Sequence, residues 1–250
     1  MQYTNLVWQK AIGDILNGTS SAPRGLKIKE RIGYQTAISM EEPVVTIKDR
    51  NLGYRFMAAE AAWILSGDNR VNTIKPYSSA IANFSDDGYF FHGAYGPQII
   101  DQLHFIADSL NNDRDTRQAV LTIWRPNPRP SKDIPCTVSI QFLIRDNKLH
   151  LIDTMRSSDL WLGWPYDVFN FSMLARFVIT LLKDKPELGV LILQAGSMHL
   201  YESNWIASEL IADGEFDELP HPTIPWFEKG QDLVDWLWEK ANGTGIVETK

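Results

Sequence analysis

Apolar positions recur at helical spacing over residues 5–16, where Leu6, Ala11, Ile12 and Ile15 share a face and Asn17-Gly18 ends the run. Residues 56–65 read as a buried helix stopped by Ser66-Gly67-Asp68. Pro97 falls in the first turn of a helix carrying Ile100, Leu103, Ile106 and Leu110. A long apolar helix is expected from about 167 to 182, and a closing one over 233–240. Between them the spacing turns strand-like. Residues 119–124, 137–145 and 148–156 read as strands, the last two joined by an Asp146-Asn147 hairpin turn, and 190–194 as a buried strand. Helices and strands mix without regular βαβ alternation, so the class is α+β. No linker, repeat or low-complexity tract divides the chain, so residues 1–250 are read as one domain. The Pro-rich segment 125–135 is the longest irregular stretch, and it leads straight into the single cysteine, Cys136.

Composition narrows the function classes. Hydrophobic residues at 44% and charged residues at 22% are those of a globular protein, and no apolar run approaches the roughly 20 residues of a membrane span. Met1, Gln2 and Tyr3 do not open a basic-then-apolar leader, so the protein is expected to be cytoplasmic. A formal net charge of −7 argues against a polynucleotide partner, because such binding neutralises many phosphates. A mononucleotide, needing a few arginines in one pocket, is compatible with it. One cysteine forms no internal disulfide, and a lone Cys is most often a small core hydrophobe. There is no glycine-rich phosphate loop, and no Cys/His or HExxH spacing that would hold a metal.

Several segments change that picture. They are Pro135-Cys136-Thr137-Val138-Ser139-Ile140-Gln141-Phe142, then Arg156-Ser157-Ser158-Asp159-Leu160-Trp161-Leu162-Gly163, then Gly196-Ser197-Met198-His199-Leu200-Tyr201. In this order they resemble the thymidylate synthase family. Glu60-Ala61-Ala62-Trp63-Ile64-Leu65-Ser66-Gly67-Asp68 resembles that family's glutamate helix, and Tyr95-Gly96-Pro97-Gln98 its Tyr-Gly segment. The resemblance implies a mixed β-sheet covered by helices, with one sheet face used to form a homodimer whose active sites are shared. It also implies 5,10-methylenetetrahydrofolate as the cofactor. By the same resemblance Cys136 adds to C6 of a pyrimidine, which turns C5 into an enol or enamine carbon. Arg156 would lower the pKa of that thiol. Glu60 would be the general acid/base through ordered water, and Tyr95 would assist removal of the C5 proton. Arg24, Arg156 and Ser157 match phosphate ligands, with Arg117 reaching into the partner's site. His199 and Tyr201 match ligands of the sugar 3′-hydroxyl. Asp159, Leu162, Gly163 and Tyr166 match the folate side.

Position 167 separates branches of that family. The thymidylate enzymes carry Asn, whose amide matches O4 and N3–H of uracil; this chain has Asp167. A protonated carboxyl can donate to N3 of cytosine and accept from its amino group. Thr137, Met155 and Gly196-Ser197 likewise look like the hydroxymethylase branch, and so do Lys75 and Ser78 in the place of tryptophans, one of which shields the one-carbon intermediate from water. The tail 245–250 lacks the hydrophobic end that closes over folate in the synthases. Gln118 follows Arg117 where the family commonly has a second arginine, which leaves Lys48 or Arg50 as candidates to complete the phosphate site. The expected activity is therefore 5-hydroxymethyl transfer to dCMP. A dCMP C5-methyltransferase and a thymidylate synthase are the alternatives. Intact Cys136, Glu60 and Arg156 argue against a non-catalytic nucleotide- or RNA-binding regulator. A hydrolase built on Cys136 and His199 lacks any oxyanion-hole signature.

Overall fold

A computed structural model describes residues 3–128 and 130–248. Helix α1 (Thr4–Leu16) leads into a short strand β1 (Thr19–Ser21) and a long one, β2 (Ile28–Ser39). Helices α2 (Tyr54–Leu65), α3 (Val71–Ile74) and α4 (Tyr95–Asn112) follow. Strands β3 (Val120–Thr122), β4 (Thr137–Arg145) and β5 (Lys148–Asp159) precede the central helix α5 (Trp164–Leu181). Strand β6 (Glu187–Tyr201) and helices α6 (Trp205–Asp213) and α7 (Gly230–Asn242) complete the chain. The strands form one mixed sheet in the order β1-β2-β6-β5-β4-β3. Only β5 and β6 run parallel, joined by α5 as the crossover such a pair requires.

The expected helices are all present, each within a few residues of its expected bounds. Asp146 (φ 48°) and Asn147 (φ 59°) both adopt left-handed backbone, the geometry of a two-residue hairpin turn that pairs Arg145 with Lys148. Several elements depart from expectation: β1 and α3 are short and had no counterpart. Strand β6 runs over 15 residues rather than 190–194, because Gly196 and Ser197 continue the ladder that a sequence reading ends there. Strand β2 had no counterpart; its outer half, Lys29-Glu30-Arg31-Ile32-Gly33, has no alternating apolar face, yet it pairs with β6 on one side and β1 on the other. Helix α6 was missed because it presents an apolar surface outward, with Ile206 and Leu210 exposed.

Alternation in the strands sorts their side chains by face. Leu149, Leu151, Asp153 and Met155 of β5, with Leu191, Leu193 and Ala195 of β6, are buried beneath the helices. The intervening Ile152, Thr154, Val190 and Ile192 are half-buried on the opposite face. Helix α2, flanked by α5 and α7, is buried on nearly every side, with Ala58, Ala59, Ala61 and Ala62 at 1% exposure or less. Alanines there let the backbones approach closely and leave Glu60 as the one polar side chain in the run. No helix among the described residues is long and apolar enough to cross a membrane. Met1 and Gln2, part of the leader reading, lie outside the described residues. In the tail, Ile246 and Val247 are buried and Ile246 N–H donates to the Tyr54 carbonyl, so the segment is apolar after all but folds into the core; Thr249 and Lys250 are outside the described residues.

Gly196 marks the closest approach of β6 to β5 at the end of the sheet that carries the site. A Cβ there would sit 2.8 Å from the carbonyl oxygen of Arg156. Gly196→Ala should therefore destabilise the protein by about 1–3 kcal/mol as backbone is displaced. For a chain of this size each kcal/mol lowers Tm by about 2–4 °C, which a thermal melt of both proteins would show.

Candidate active site

Cys136 stands one residue before β4, where the register against β5 shifts between Thr137 and Ser139. Such a bulge re-aims side chains next to functional sites. Two contacts fix the cysteine's backbone. Cys136 N–H and Thr137 N–H both donate to the Tyr95 hydroxyl, at 3.2 and 3.1 Å. Tyr95 lies at the start of α4 and stacks on Phe171 of α5, with ring centroids 6.3 Å apart and planes 10° off parallel. Arg156 of β5 holds the other side: its Nε donates to the Pro135 carbonyl at 2.9 Å, Nη2 to the Ile134 carbonyl at 2.9 Å, and Nη1 to Ser157 Oγ at 3.0 Å. The thiol is left half-buried, 3.9 Å from Ser157 Oγ.

Two cavities meet at Arg156 and Ser157. The first, of about 400 Å³, is lined by Cys136, Tyr95, Glu60, Asp167 and Asn170, with Asp159 and Gly163 at one wall and Trp63, Phe84 and Phe91 at another. The second, of about 610 Å³, is lined by His199, Tyr201, Arg24, Lys132 and Glu30. Arg24, Lys132, Arg156 and Ser157 border both. The residues expected to meet a base and those expected to meet a sugar and phosphate thus occupy adjoining compartments, with the thiol near their junction.

The first cavity is crowded with carboxyl groups. Burial pushes Glu60 up to about 7, against the opposing hydrogen bond from Asn170 Nδ2 at 2.8 Å. Asp167, in the first turn of α5, is raised well above the carboxylate range by burial, then by the charges of Glu60 and Asp159. A helix N-terminus favours an anion by about 0.3–1 kcal/mol, and burial beside two acids outweighs it. Asp167 is therefore shifted towards its protonated form. Asp159 is raised by burial too, while its Oδ1 accepts the N–H groups of Trp161 and Leu162, both at 2.9 Å, and so shapes the β5–α5 turn. Beneath them Asp153 is fully buried with neither carboxyl oxygen hydrogen-bonded.

Some expectations require correction. Arg156 does lower the Cys136 pKa, but burial outweighs it and Asp167 adds to the rise, so the thiol lies above its ordinary value. Arg50 is unavailable to phosphate: Nε and Nη2 donate to the Trp161 carbonyl at 3.1 and 2.7 Å, and the guanidinium lies over the Trp161 ring. Lys132 borders both cavities instead. It sits in the irregular Pro-rich segment, where no periodicity singles it out. Of the folate-side residues, Asp159 and Gly163 line the cavity; Leu162 is exposed, and the Tyr166 hydroxyl accepts the Gly53 N–H at 3.1 Å. Arg117 is exposed, outside both cavities of its own chain. Lys75 and Ser78 are likewise absent from the lining. Asn170 was missed, although three residues after Asp167 on α5 it shares that face. Among the described residues no group of His, Cys, Asp or Glu is arranged to hold a metal.

One cavity thus holds a thiol, a carboxyl titrating near 7 and a second buried carboxyl whose pKa is raised, and it shares Arg24, Lys132 and Arg156 with the other. Residues 2–241 match the family model described as Thymidylate synthase, and the chain belongs to that family. It is 32% identical over 212 residues to a deoxyuridylate hydroxymethyltransferase of Bacillus phage SP01, covering 76% of this chain and 53% of the relative. A protein of the same name from Pseudomonas phage M6 is 32% identical over 171 residues, covering 64% and 48%. The chain thus spans about half the length of these two relatives. A thymidylate synthase of Francisella philomiragia subsp. philomiragia is 24% identical over 246 residues, covering 89% and 88%.

The raised Glu60 pKa has a measurable consequence. Between about 4.5 and about 7 the unfolded chain releases this proton while the folded one keeps it, so stability falls as pH rises through that window. Glu60→Gln keeps an oxygen for Asn170 and removes the titration. The variant should melt higher than wild type at pH 8, by an amount equivalent to at most about 3 kcal/mol, and the gap should close towards pH 4.5. Melting curves across that range check it; a constant gap would assign the effect elsewhere.

Proposed function

We propose that the chain is a pyrimidine nucleotide C5-hydroxymethyltransferase acting on dCMP in the cytoplasm, working as a homodimer. The observation that carries the reading is that Asp167, buried and with its pKa raised well above the ordinary carboxyl value, lines one cavity with Cys136 and Glu60. The family's one-carbon donor is 5,10-methylenetetrahydrofolate, which supplies an electrophilic methylene when bound. The cavity fits such a group: its lining combines the aromatic rings of Trp63, Phe84 and Phe91 with the polar Asp159 and the open backbone at Gly163.

The chain's own residues divide the work. The nucleotide phosphate is met by Arg156, Ser157, Arg24 and Lys132, with Arg117 of the other subunit completing the set. His199 and Tyr201 hold the sugar. Cys136 adds to C6 of the base; because burial holds its proton on, the thiol must give that proton up as it attacks, and the positive charge of Arg156 stabilises the thiolate that forms. Glu60, titrating near 7, moves protons to and from ordered water near C5. Tyr95, whose pKa is raised well above 10, keeps its proton and positions Cys136 and water rather than acting as a phenolate base.

Asp167 reads the base. As a neutral acid it donates to N3 of cytosine and accepts from the amino group. The names of the phage relatives favour a second reading, deoxyuridylate, and the same acid can serve uracil with donor and acceptor exchanged. Cytosine is preferred on physical grounds. N3 can take up the carboxyl proton as the Cys136 thiolate adds at C6, which neutralises the charge that would build up on the ring and leaves the carboxylate accepting from the new N3–H, whereas uracil N3 already carries a hydrogen. The product is read as hydroxymethyl because Lys75 and Ser78 stand where the synthases carry tryptophans, and neither of them lines the cavity.

Incubation of dCMP and of dUMP with enzyme and methylenetetrahydrofolate, followed by mass spectrometry, should show a hydroxymethyl group gained on dCMP. Asp167→Asn should shift kcat/KM towards dUMP by about one to two decades, the cost of a lost buried base hydrogen bond. A wild-type preference for dUMP, or an unchanged ratio, would overturn the cytosine assignment.

The shared site has its own test. Arg117→Ala and Cys136→Ser chains, each inactive alone, should regain activity when mixed, because a heterodimer contains one complete site. A monomer in sedimentation, or an inactive verified heterodimer, would remove Arg117 from the partner's site.

A further inference from the structure

The second cavity contains an anionic side chain that the mechanism above leaves unused. Glu30 lies on β2 directly opposite His199 on β6, and His199 is in turn opposite Asp159 on β5. Directly paired residues project to the same face of a sheet, so a carboxyl group flanks the imidazole on either side along one row. Glu30 is anchored from two strands. Ser21 Oγ of β1 donates to its Oε1 at 2.6 Å, and Ser197 Oγ of β6 donates to its Oε2. These two hydrogen bonds outweigh burial and lower its pKa, so the group is ionised. Among the described residues no lysine or arginine forms an ion pair with it.

We infer that Glu30 is a substrate-binding residue that accepts a hydrogen bond from the 3′-hydroxyl of the bound nucleotide. The inference rests on the nucleotide reading above. An ionised carboxylate offers about four acceptor positions, of which two are filled by the serines. Its remaining capacity borders the cavity shared with His199 and Tyr201. The part of a nucleotide that can satisfy it is limited: the phosphate would be repelled, and the base edge is engaged at Asp167 in the other cavity. A sugar hydroxyl is the donor that remains. The same anion makes a 3′-phosphate unacceptable, which restricts the site to a nucleotide with a free 3′ end. Two serine hydroxyls hold the carboxylate in place before substrate arrives, so little ordering is required on binding.

The experiment is a cycle of protein and ligand changes. Wild type, Glu30→Gln and Glu30→Ala are each titrated by calorimetry with the 2′-deoxy and the 2′,3′-dideoxy monophosphates of cytosine and uracil. Turnover is followed with whichever base the wild type uses. Removing the 3′-hydroxyl should weaken wild-type binding roughly tenfold or more, the scale of a hydrogen bond to a charged group. In Glu30→Ala the same removal should cost less than about twofold, with Glu30→Gln between. Both variants should bind a 3′,5′-bisphosphate better, relative to the monophosphate, than wild type does. Equal losses on hydroxyl-bearing and dideoxy nucleotides would show that Glu30 only ties β1 to β6, and would overturn the inference, as would no loss on either. Wild type that binds none of these nucleotides would overturn the nucleotide reading along with it; a double difference that is absent while wild type binds would overturn this inference alone.

Discussion

The bidentate hold of Arg156 on the carbonyls of Ile134 and Pro135 is the contact on which the site depends. The segment before Cys136 is irregular and Pro-rich, with no ladder of its own to place it. A guanidinium projecting from the long strand β5 supplies what the backbone lacks: a rigid planar fork that fixes two successive carbonyls relative to the sheet. The Arg156 N–H also donates to the Cys136 carbonyl at 2.8 Å, so side chain and backbone of one residue grip three consecutive peptide units. Because the same guanidinium borders both cavities, positioning of the nucleophile and reception of an anion share one group. A lysine, a point charge on a flexible stem, could neutralise the anion but could not hold both carbonyls in one plane.

The second constraint is electrostatic. Burying Glu60, Asp159 and Asp167 around one cavity would be costly if all were ionised, and burial raises the pKa of each, favouring the protonated forms. Helix α2 contributes by its alanines, which surround Glu60 with nothing that could solvate a charge. The outcome is a graded set. Asp167 is raised well above its ordinary value, whereas Glu60, relieved by Asn170, sits where proton transfer near neutral pH is efficient.

Much of this was legible in the sequence, and the parts that were not share a cause. Helices α1, α2, α4, α5 and α7 announce themselves by period and by stop signals, and the β4–β5 hairpin by its Asp-Asn turn. Cys136, Glu60, Tyr95, Asp167, Arg156, His199 and Tyr201 stand in local motifs, and the fold does gather them. Strand β2 escaped because its outer half is polar on both faces, one towards solvent and one towards a cavity, a pattern that mimics a loop. Glu30 escaped with it. Lys132 and Asn170 have no motif of their own; only the tertiary arrangement gives them a site to border. The direction of the Cys136 shift was misjudged for a related reason: a neighbouring arginine can be read from sequence, but the depth of burial that outweighs it cannot.

The protonated carboxyls also change what an approaching ligand meets. The formal charge of −7 counts every acid as ionised, yet burial within the cavity pushes Glu60 and Asp167 towards their uncharged forms. A doubly charged phosphate ester drifting towards an acidic protein would be slowed by its overall field. Three basic side chains, Arg24, Lys132 and Arg156, are concentrated where the two cavities adjoin, so the cation density of this acidic chain is greatest beside its most buried acids, a local reversal of sign on the scale of one small anion.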